Sequence, residues 1–350
     1  MSITAPLVVS LLSLAGPSPA PFYEDKLDLM QIKNSNGAVR RVKSQDDWSV
    51  RRAHVLQNMQ LVMGPLPGDE QRVPLDVRVE ESVDTEKYVR KRISYAVEPG
   101  SRVPAYLLIP KALRGPAPAM LCLHQTVGIG KGEPAGLGGK PNLHYAHELA
   151  ERGYVCLAPD YPGFGDYQID VYSMGYRSAT MKGIWNHMRG IDLLQGLPEV
   201  DGERIGCIGH SLGGHNTLFV SVFDERIKVA VTSCGFNRFA KYYGGNLTGW
   251  SHKGYMPRIA SEYAKDPARM PFDFTEILGA LAPRHLFINA PTGDENFEVS
   301  GVKDCVESAR PVYDLFGAAD CLVAVYPKCG HDFPLEQRRQ AYEFIDSVLR

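Results

Sequence analysis

The 350-residue chain has no large excess of charge of either sign: 38 lysines and arginines stand against 40 aspartates and glutamates, a formal net charge of −2. A nucleic-acid or anionic-membrane partner calls for a concentrated positive field, so neither is expected. No apolar run is long enough to span a bilayer, and no segment repeats at a fixed period. The phosphate-cradling G-x-x-x-x-G-K-[ST] loop is missing. Gly130-Lys131-Gly132-Glu133-Pro134-Ala135 matches G-x-G-x-x-A in form only, because Pro134 and the surrounding glycines make it a loop, so no nucleotide cofactor is expected. An H-E-x-x-H frame is missing too. His144 and His147 stand at helical spacing without a third ligand, which leaves no expected metal centre. Cysteine is sparse and odd in number, at seven. Cys122, Cys156 and Cys207 lie in apolar strand-like runs and read as core residues, which leaves Cys305, Cys321 and Cys329 as the ones free to pair. No disulfide framework is expected.

What is present is ordinary globular composition, 44% hydrophobic and 22% charged. The first twenty residues differ in kind. Leu7 to Ala15 resembles the apolar region of an export signal, and Ser18-Pro19-Ala20 offers small residues at a cleavage point, although no lysine or arginine precedes the run. Residues 1–20 are therefore read as a signal peptide and the protein as periplasmic or secreted; a cytoplasmic location is the alternative. Residues 21–74 form an N-terminal attachment with a helix over Asp47–Met63, ended by Gly64-Pro65-Leu66-Pro67-Gly68. Residues 75–350 are read as one catalytic domain.

That domain opens antiparallel. Leu75–Glu80 alternates apolar and polar, and Tyr88–Tyr95 with Val103–Ile109 form a hairpin around Glu98-Pro99-Gly100-Ser101. From Pro116 the pattern changes to strand, helix, strand, helix, which predicts an α/β fold with a mostly parallel central sheet and helices on both faces. Residues 235–283, rich in Tyr242, Tyr243, Trp250, Tyr255 and Phe272, interrupt this alternation. They read either as a lid or pocket wall or as a helical connection with a small core of its own.

The domain is organised around Ile205-Gly206-Cys207-Ile208-Gly209-His210-Ser211-Leu212-Gly213. A short apolar strand runs into a sharp turn and then a helix, the G-x-S-x-G nucleophile elbow. Glycines 209 and 213 relieve crowding around Ser211, and the helix start supplies free N–H groups where an oxyanion would form. A serine hydroxyl needs a base and an anion to orient that base. Asp294 follows the strand ending at Ala290, and His331 follows the strand ending at Tyr326, so both reach the carboxyl edge of the sheet with Ser211. Glu295 is a rival acid, and His210 and His215 are rival histidines beside the elbow. The second oxyanion donor is expected from the loop after His124, at Gln125 or Thr126, alongside the N–H of Leu212. His124 itself reads as a brace for that loop. His210, Tyr161 and Trp250 are taken as candidate substrate-binding residues.

His124-Gln125-Thr126, Asp160-Tyr161-Pro162-Gly163-Phe164-Gly165, Gly209–Gly213, Asp294 and Gly330-His331 together resemble the α/β-hydrolase superfamily, and within it the acetyl-xylan-esterase and dienelactone-hydrolase-like branch. The resemblance implies a serine hydrolase acting on carboxylic esters through an acyl-enzyme, with O-acetyl or other carbohydrate esters as substrates. Dienelactone hydrolases have cysteine at the position of Ser211. Glucuronoyl esterases have arginine after the serine, where this chain has Leu212. The rival readings are a serine peptidase of the prolyl-oligopeptidase-like type and a binding protein that retains the fold without catalysis.

Overall fold

The structure, a computed structural model, describes residues 20–34 and 36–350. The export-signal expectation therefore falls outside the described residues except at Ala20. The elements run β1 (Gln31–Lys33), β2 (Val39–Arg41), α1 (Gln45–Met63), β3 (Arg78–Asp84), β4 (Tyr88–Glu98), β5 (Ser101–Pro110), β6 (Ala117–Leu123), α2 (Tyr145–Glu151), β7 (Val155–Pro159), α3 (Ala179–Gln195), β8 (Val200–His210), α4 (Leu212–Phe223), β9 (Ile227–Ser233), α5 (Arg258–Ser261), α6 (Phe274–Leu281), β10 (His285–Asn289), α7 (Val299–Leu315), β11 (Leu322–Val325) and α8 (Leu335–Leu349).

β1 and β2 form a separate ribbon. The other nine strands make one sheet in the order β11-β10-β9-β8-β6-β7-β5-β4-β3. β6 to β11 pair parallel, and β3, β4 and β5 add an antiparallel edge. β8 lies between β6 and β9, so the turn after it opens beside two other strand ends. Its alternation places Ile205 and Cys207 in one apolar cluster and Ile208 in another, on opposite faces of the sheet. The first cluster takes in α1, α3, α4, α6 and α7, and the second takes in α2 and α8. All seven cysteines are free.

The strand expected at Leu75–Glu80 begins three residues later, at Arg78. Asp76 has φ +39°, which breaks the extension, and the Leu75 carbonyl accepts the N–H of Ala96 at 2.7 Å. β3 is an almost fully exposed edge strand, so its sequence alternation has no buried face to report. α1 is capped by Ser44, whose side chain accepts the N–H of Asp47, and it is tied to α6 by a wholly buried Arg51–Glu276 ion pair. Residues 235–283 fold as short 3₁₀ turns with α5 and α6, and their Phe236, Phe239, Trp250 and Phe272 are buried in the same cluster as Phe219 of α4. Among the described residues, no helix is long and apolar enough to cross a membrane.

Candidate active site

Backbone approaches too close for any side chain hold the turn between β8 and α4. A Cβ on Gly213 would lie 1.9 Å from the Leu123 carbonyl oxygen at the end of β6, and one on Gly209 would lie 2.3 Å from the backbone of Gly213. Ser211 takes φ +53° and ψ −117°, unfavourable for a residue with a Cβ. It is pinned there by its N–H, which donates to the Ser233 carbonyl at 2.8 Å, and by its own carbonyl, which accepts the His215 N–H at 2.9 Å. α4 starts at Leu212, so the first N–H groups after the serine have no acceptor within the helix.

Asp294 and His331 are joined. Nδ1 of His331 donates to the two Asp294 oxygens at 3.0 and 2.9 Å. Asp294 Oδ1 also accepts the N–H groups of Asn296 at 2.9 Å and Phe297 at 3.2 Å. Burial pushes the Asp294 carboxyl up, but the bond and charge of His331 and the two backbone donors outweigh it and hold the group below the usual aspartate range. Because a carboxylate only accepts, the proton of the neutral imidazole sits on Nδ1 and its lone pair on Nε2. Glu295, the rival acid, is exposed while Asp294 is buried. The His331 ring lies edge-on to that of His210, 4.7 Å between centroids, and His210 immediately precedes Ser211.

Residues with no sequence signal hold these groups in place. His210 Nδ1 bonds Ser233 Oγ at 2.9 Å, and Asn289 Nδ2 donates to Ser233 Oγ at 2.8 Å and to the Asp332 carbonyl at 3.0 Å. The ends of β8, β9 and β10 are thereby tied to the segment bearing His331. Cys234, at φ +48°, follows Ser233, and its thiol contacts the Asp332 carbonyl at 3.5 Å. Burial first, and then the charge of Asp294, push this thiol well above the usual cysteine range. One donor atom from each of His210, Cys234 and His331 lies within 4.8 Å of the others.

The loop after β6 is fixed by His124. Its Nδ1 meets the Gln125 carbonyl at 2.6 Å, and its Nε2 accepts the Tyr161 N–H at 2.9 Å. These partners set one tautomer, with the proton on Nδ1, and burial holds the ring neutral by lowering its pKa. The Gln125 carbonyl thus turns toward the buried imidazole, so in a trans peptide the N–H of Thr126 points the opposite way. The Gln125 side-chain amide is engaged by Glu133 at 3.0 Å.

The residues expected to bind substrate lie deep in the fold. His210, Tyr161 and Trp250 are all buried. The Tyr161 hydroxyl donates to the Gly254 carbonyl at 3.0 Å, and the Trp250 indole packs against His215, Tyr242, Tyr255 and Phe274. Side chains so enclosed pack behind the site. His215, also enclosed, is pushed down to about 3 by burial and stays a neutral packing residue.

Two family models match in part: one described as "Abhydrolase family" over residues 28–181, and one described as "Glucuronyl esterase, fungi" over residues 165–317. In fold and in both partial matches the chain is similar to the α/β-hydrolases. It is similar to the protein YtaP of Bacillus subtilis (strain 168), 27% identical over 300 residues that cover 82% of this chain and 96% of that one. In fold it is similar to a glucuronoyl esterase from Solibacter usitatus, with a TM-score of 0.72 and 18% identity, covering 95% of this chain and 99% of the other. It is also similar to an acetyl-xylan-esterase-like structure from Bacteroides fragilis NCTC 9343, with a TM-score of 0.62 and 18% identity, covering 81% and 76%.

Proposed function

We propose that this α/β-hydrolase is a serine esterase that cleaves carboxylic esters of carbohydrates, with Ser211 as nucleophile, His331 as base and Asp294 as the orienting acid. The observation that supports it most is the Asp294–His331 pair beside the strained Ser211 turn. The glucuronoyl and acetyl-xylan esterases among the fold's neighbours favour a sugar ester as substrate.

In this reading Nε2 of His331 takes the Ser211 proton as Oγ bonds to the ester carbon. The carbonyl oxygen gains the negative charge and is held by the N–H of Leu212 and by that of Thr126, which the Gln125–His124 bond turns outward. The C–O bond to the alcohol then breaks, with His331 returning the proton to the leaving oxygen. Water repeats the sequence on the acyl-enzyme, giving the carboxylic acid and free Ser211. Gln125 supports that loop through its bond to Glu133.

The test combines a fluorophosphonate label with a panel of p-nitrophenyl, acetylated-sugar and uronic acid methyl esters, each run against Ser211→Ala. Labelling confined to Ser211, and turnover lost in the variant, are expected. An intact chain that never labels at Ser211 refutes the esterase and favours a binding protein; cleavage of amide substrates would favour a peptidase.

A further inference from the structure

Of His210, Cys234 and His331 only the last is used in ester hydrolysis, since neither the Cys234 thiol nor the His210 imidazole has a chemical part in it. The three residues come from the ends of β8, β9 and β11, so no sequence spacing marks them as a set. Their donor atoms nonetheless fall within 4.8 Å of one another, and Nε2 of the wholly buried His210 has no hydrogen-bond partner. Two imidazoles and a sulfur form a donor set suited to zinc or cadmium and poorly suited to magnesium.

We propose that His210, Cys234 and His331 form a binding site for a thiophilic divalent cation, and that its occupation reversibly inhibits the enzyme. The inhibitory part rests on the reading of His331 as base. Nδ1 of His331 stays on Asp294, so the cation takes Nε2, the lone pair that would otherwise deprotonate Ser211. The arrangement is then a carboxylate, histidine and metal in series, a pattern that orients the ring and raises the basicity of the ligand. The Cys234 thiol gives up its proton to solvent as the metal–sulfur bond forms. One thiolate and the nearby Asp294 carboxylate balance the charge of the cation. Tetrahedral zinc, with Zn–S about 2.3 Å and Zn–N about 2.0 Å, sets ligand atoms roughly 3.5 Å apart, so side-chain rotations of about 1 Å close the site. The His331 side chain is 20% exposed, which gives the ion its entry from solvent.

The experiment titrates the full chain with Zn²⁺, Cd²⁺ and Mg²⁺, reading ester hydrolysis and, independently of activity, the ultraviolet cadmium–thiolate charge-transfer band. One Cd²⁺ per chain is expected, with the band and the loss of hydrolysis rising together, reversal by a chelator and no effect of Mg²⁺. Cys234→Ser should lose the band and, for the hydrolysis it retains, need at least roughly tenfold more Zn²⁺ for half-inhibition. Should that variant fold poorly, His210→Asn must weaken Cd²⁺ binding by a similar factor. No band in the unaltered protein, or an undiminished band in Cys234→Ser that places the ion on Cys321 or Cys329, overturns the site. A band that needs Cys234 while hydrolysis continues unimpaired upholds the site and instead refutes His331 as the base.

Discussion

Replacing Gly213 with alanine sets a methyl carbon 1.9 Å from the Leu123 carbonyl oxygen, 2.6 Å from its carbonyl carbon and 2.9 Å from the His124 oxygen. All three are backbone atoms of β6 and the loop that follows, so no side chain can rotate away. The shortest contact falls about 1.5 Å below ordinary van der Waals separation, and the start of α4 must retreat from β6 by a comparable amount. Gly213 does not lie in the left-handed region, so the penalty is purely steric. The retreat separates the Leu212 N–H from the loop bearing Thr126, which breaks the proposed oxyanion site from one side. A misplacement of about 1 Å costs on the order of 10²-fold in rate, and loss of an oxyanion donor about 10²–10³-fold. Overpacking adds about 1–3 kcal/mol of destabilisation. The assay is kcat for ester hydrolysis alongside thermal unfolding. Gly202→Ala is the control, since its new Cβ would meet only Gln195 side-chain atoms and the nearest at 3.4 Å. A folded Gly213→Ala protein within about fivefold of normal kcat would refute the argument that this approach positions the site.

Asp294→Asn should lower kcat by about 10⁴-fold, because the amide no longer fixes the His331 proton on Nδ1, whereas Glu295→Gln should leave steady-state rates nearly unchanged. Since the Asp294 pKa is depressed in the folded state, its stabilising contribution is present above the ordinary aspartate range and is lost as pH falls through the folded value. Denaturant titrations should therefore show the stability gap between Asp294→Asn and the unaltered protein shrinking below about pH 4. His187 and His215 are both held neutral by burial, at about 3 in the fold. The unfolded chain binds protons at these two rings below about pH 6.5 while the folded chain does not, so stability should fall as pH drops from 6.5 toward 3, by up to about 1.4 kcal/mol per pH unit for each ring. His187→Leu should flatten that slope by one ring's share in urea titrations; an unchanged slope would refute the neutral assignment.

The parallel sheet was legible because β6, β7 and the second half of β8 are buried on both faces and read as short, largely apolar runs. The elbow was legible because Gly209 and Gly213 meet backbone so closely that no side chain fits at either position. That Asp294 and His331 meet followed from strand order, since strand ends place the loops of a parallel sheet on one edge, although that order left Glu295 open as a rival acid. What sequence reading missed is of another kind. Ser233, Cys234 and Asn289 matter through hydrogen bonds between strands far apart in the chain, and nothing in their local sequence records those partners. The surroundings of Trp250 were not legible for a related reason: an aromatic side chain in an insertion packs equally well as pocket wall or as core. Only the packing of 235–283 against α4 shows that Phe236, Phe239, Trp250 and Phe272 are buried there.

Leu212 shows why a family resemblance and the geometry of this chain need separate weighing. Glucuronoyl esterases carry an arginine at this position, and the fold here is similar to theirs, yet the side chain after Ser211 points into a cluster with Tyr161, Val171 and Ala179 and is 2% exposed. In this chain only the main chain at position 212 can serve the oxyanion, and a cation has been exchanged for apolar packing. Leu212→Arg should therefore not add an oxyanion donor. It would bury a guanidinium among apolar side chains, at a cost of several kcal/mol, unless the side chain displaces Tyr161 and its bond to Gly254. The expected result is a less stable protein with lower kcat on acetylated sugars and on uronic acid esters alike. A variant of normal stability whose kcat rises on uronic acid esters alone would show that the cluster gives way, and that the position can be converted by one substitution.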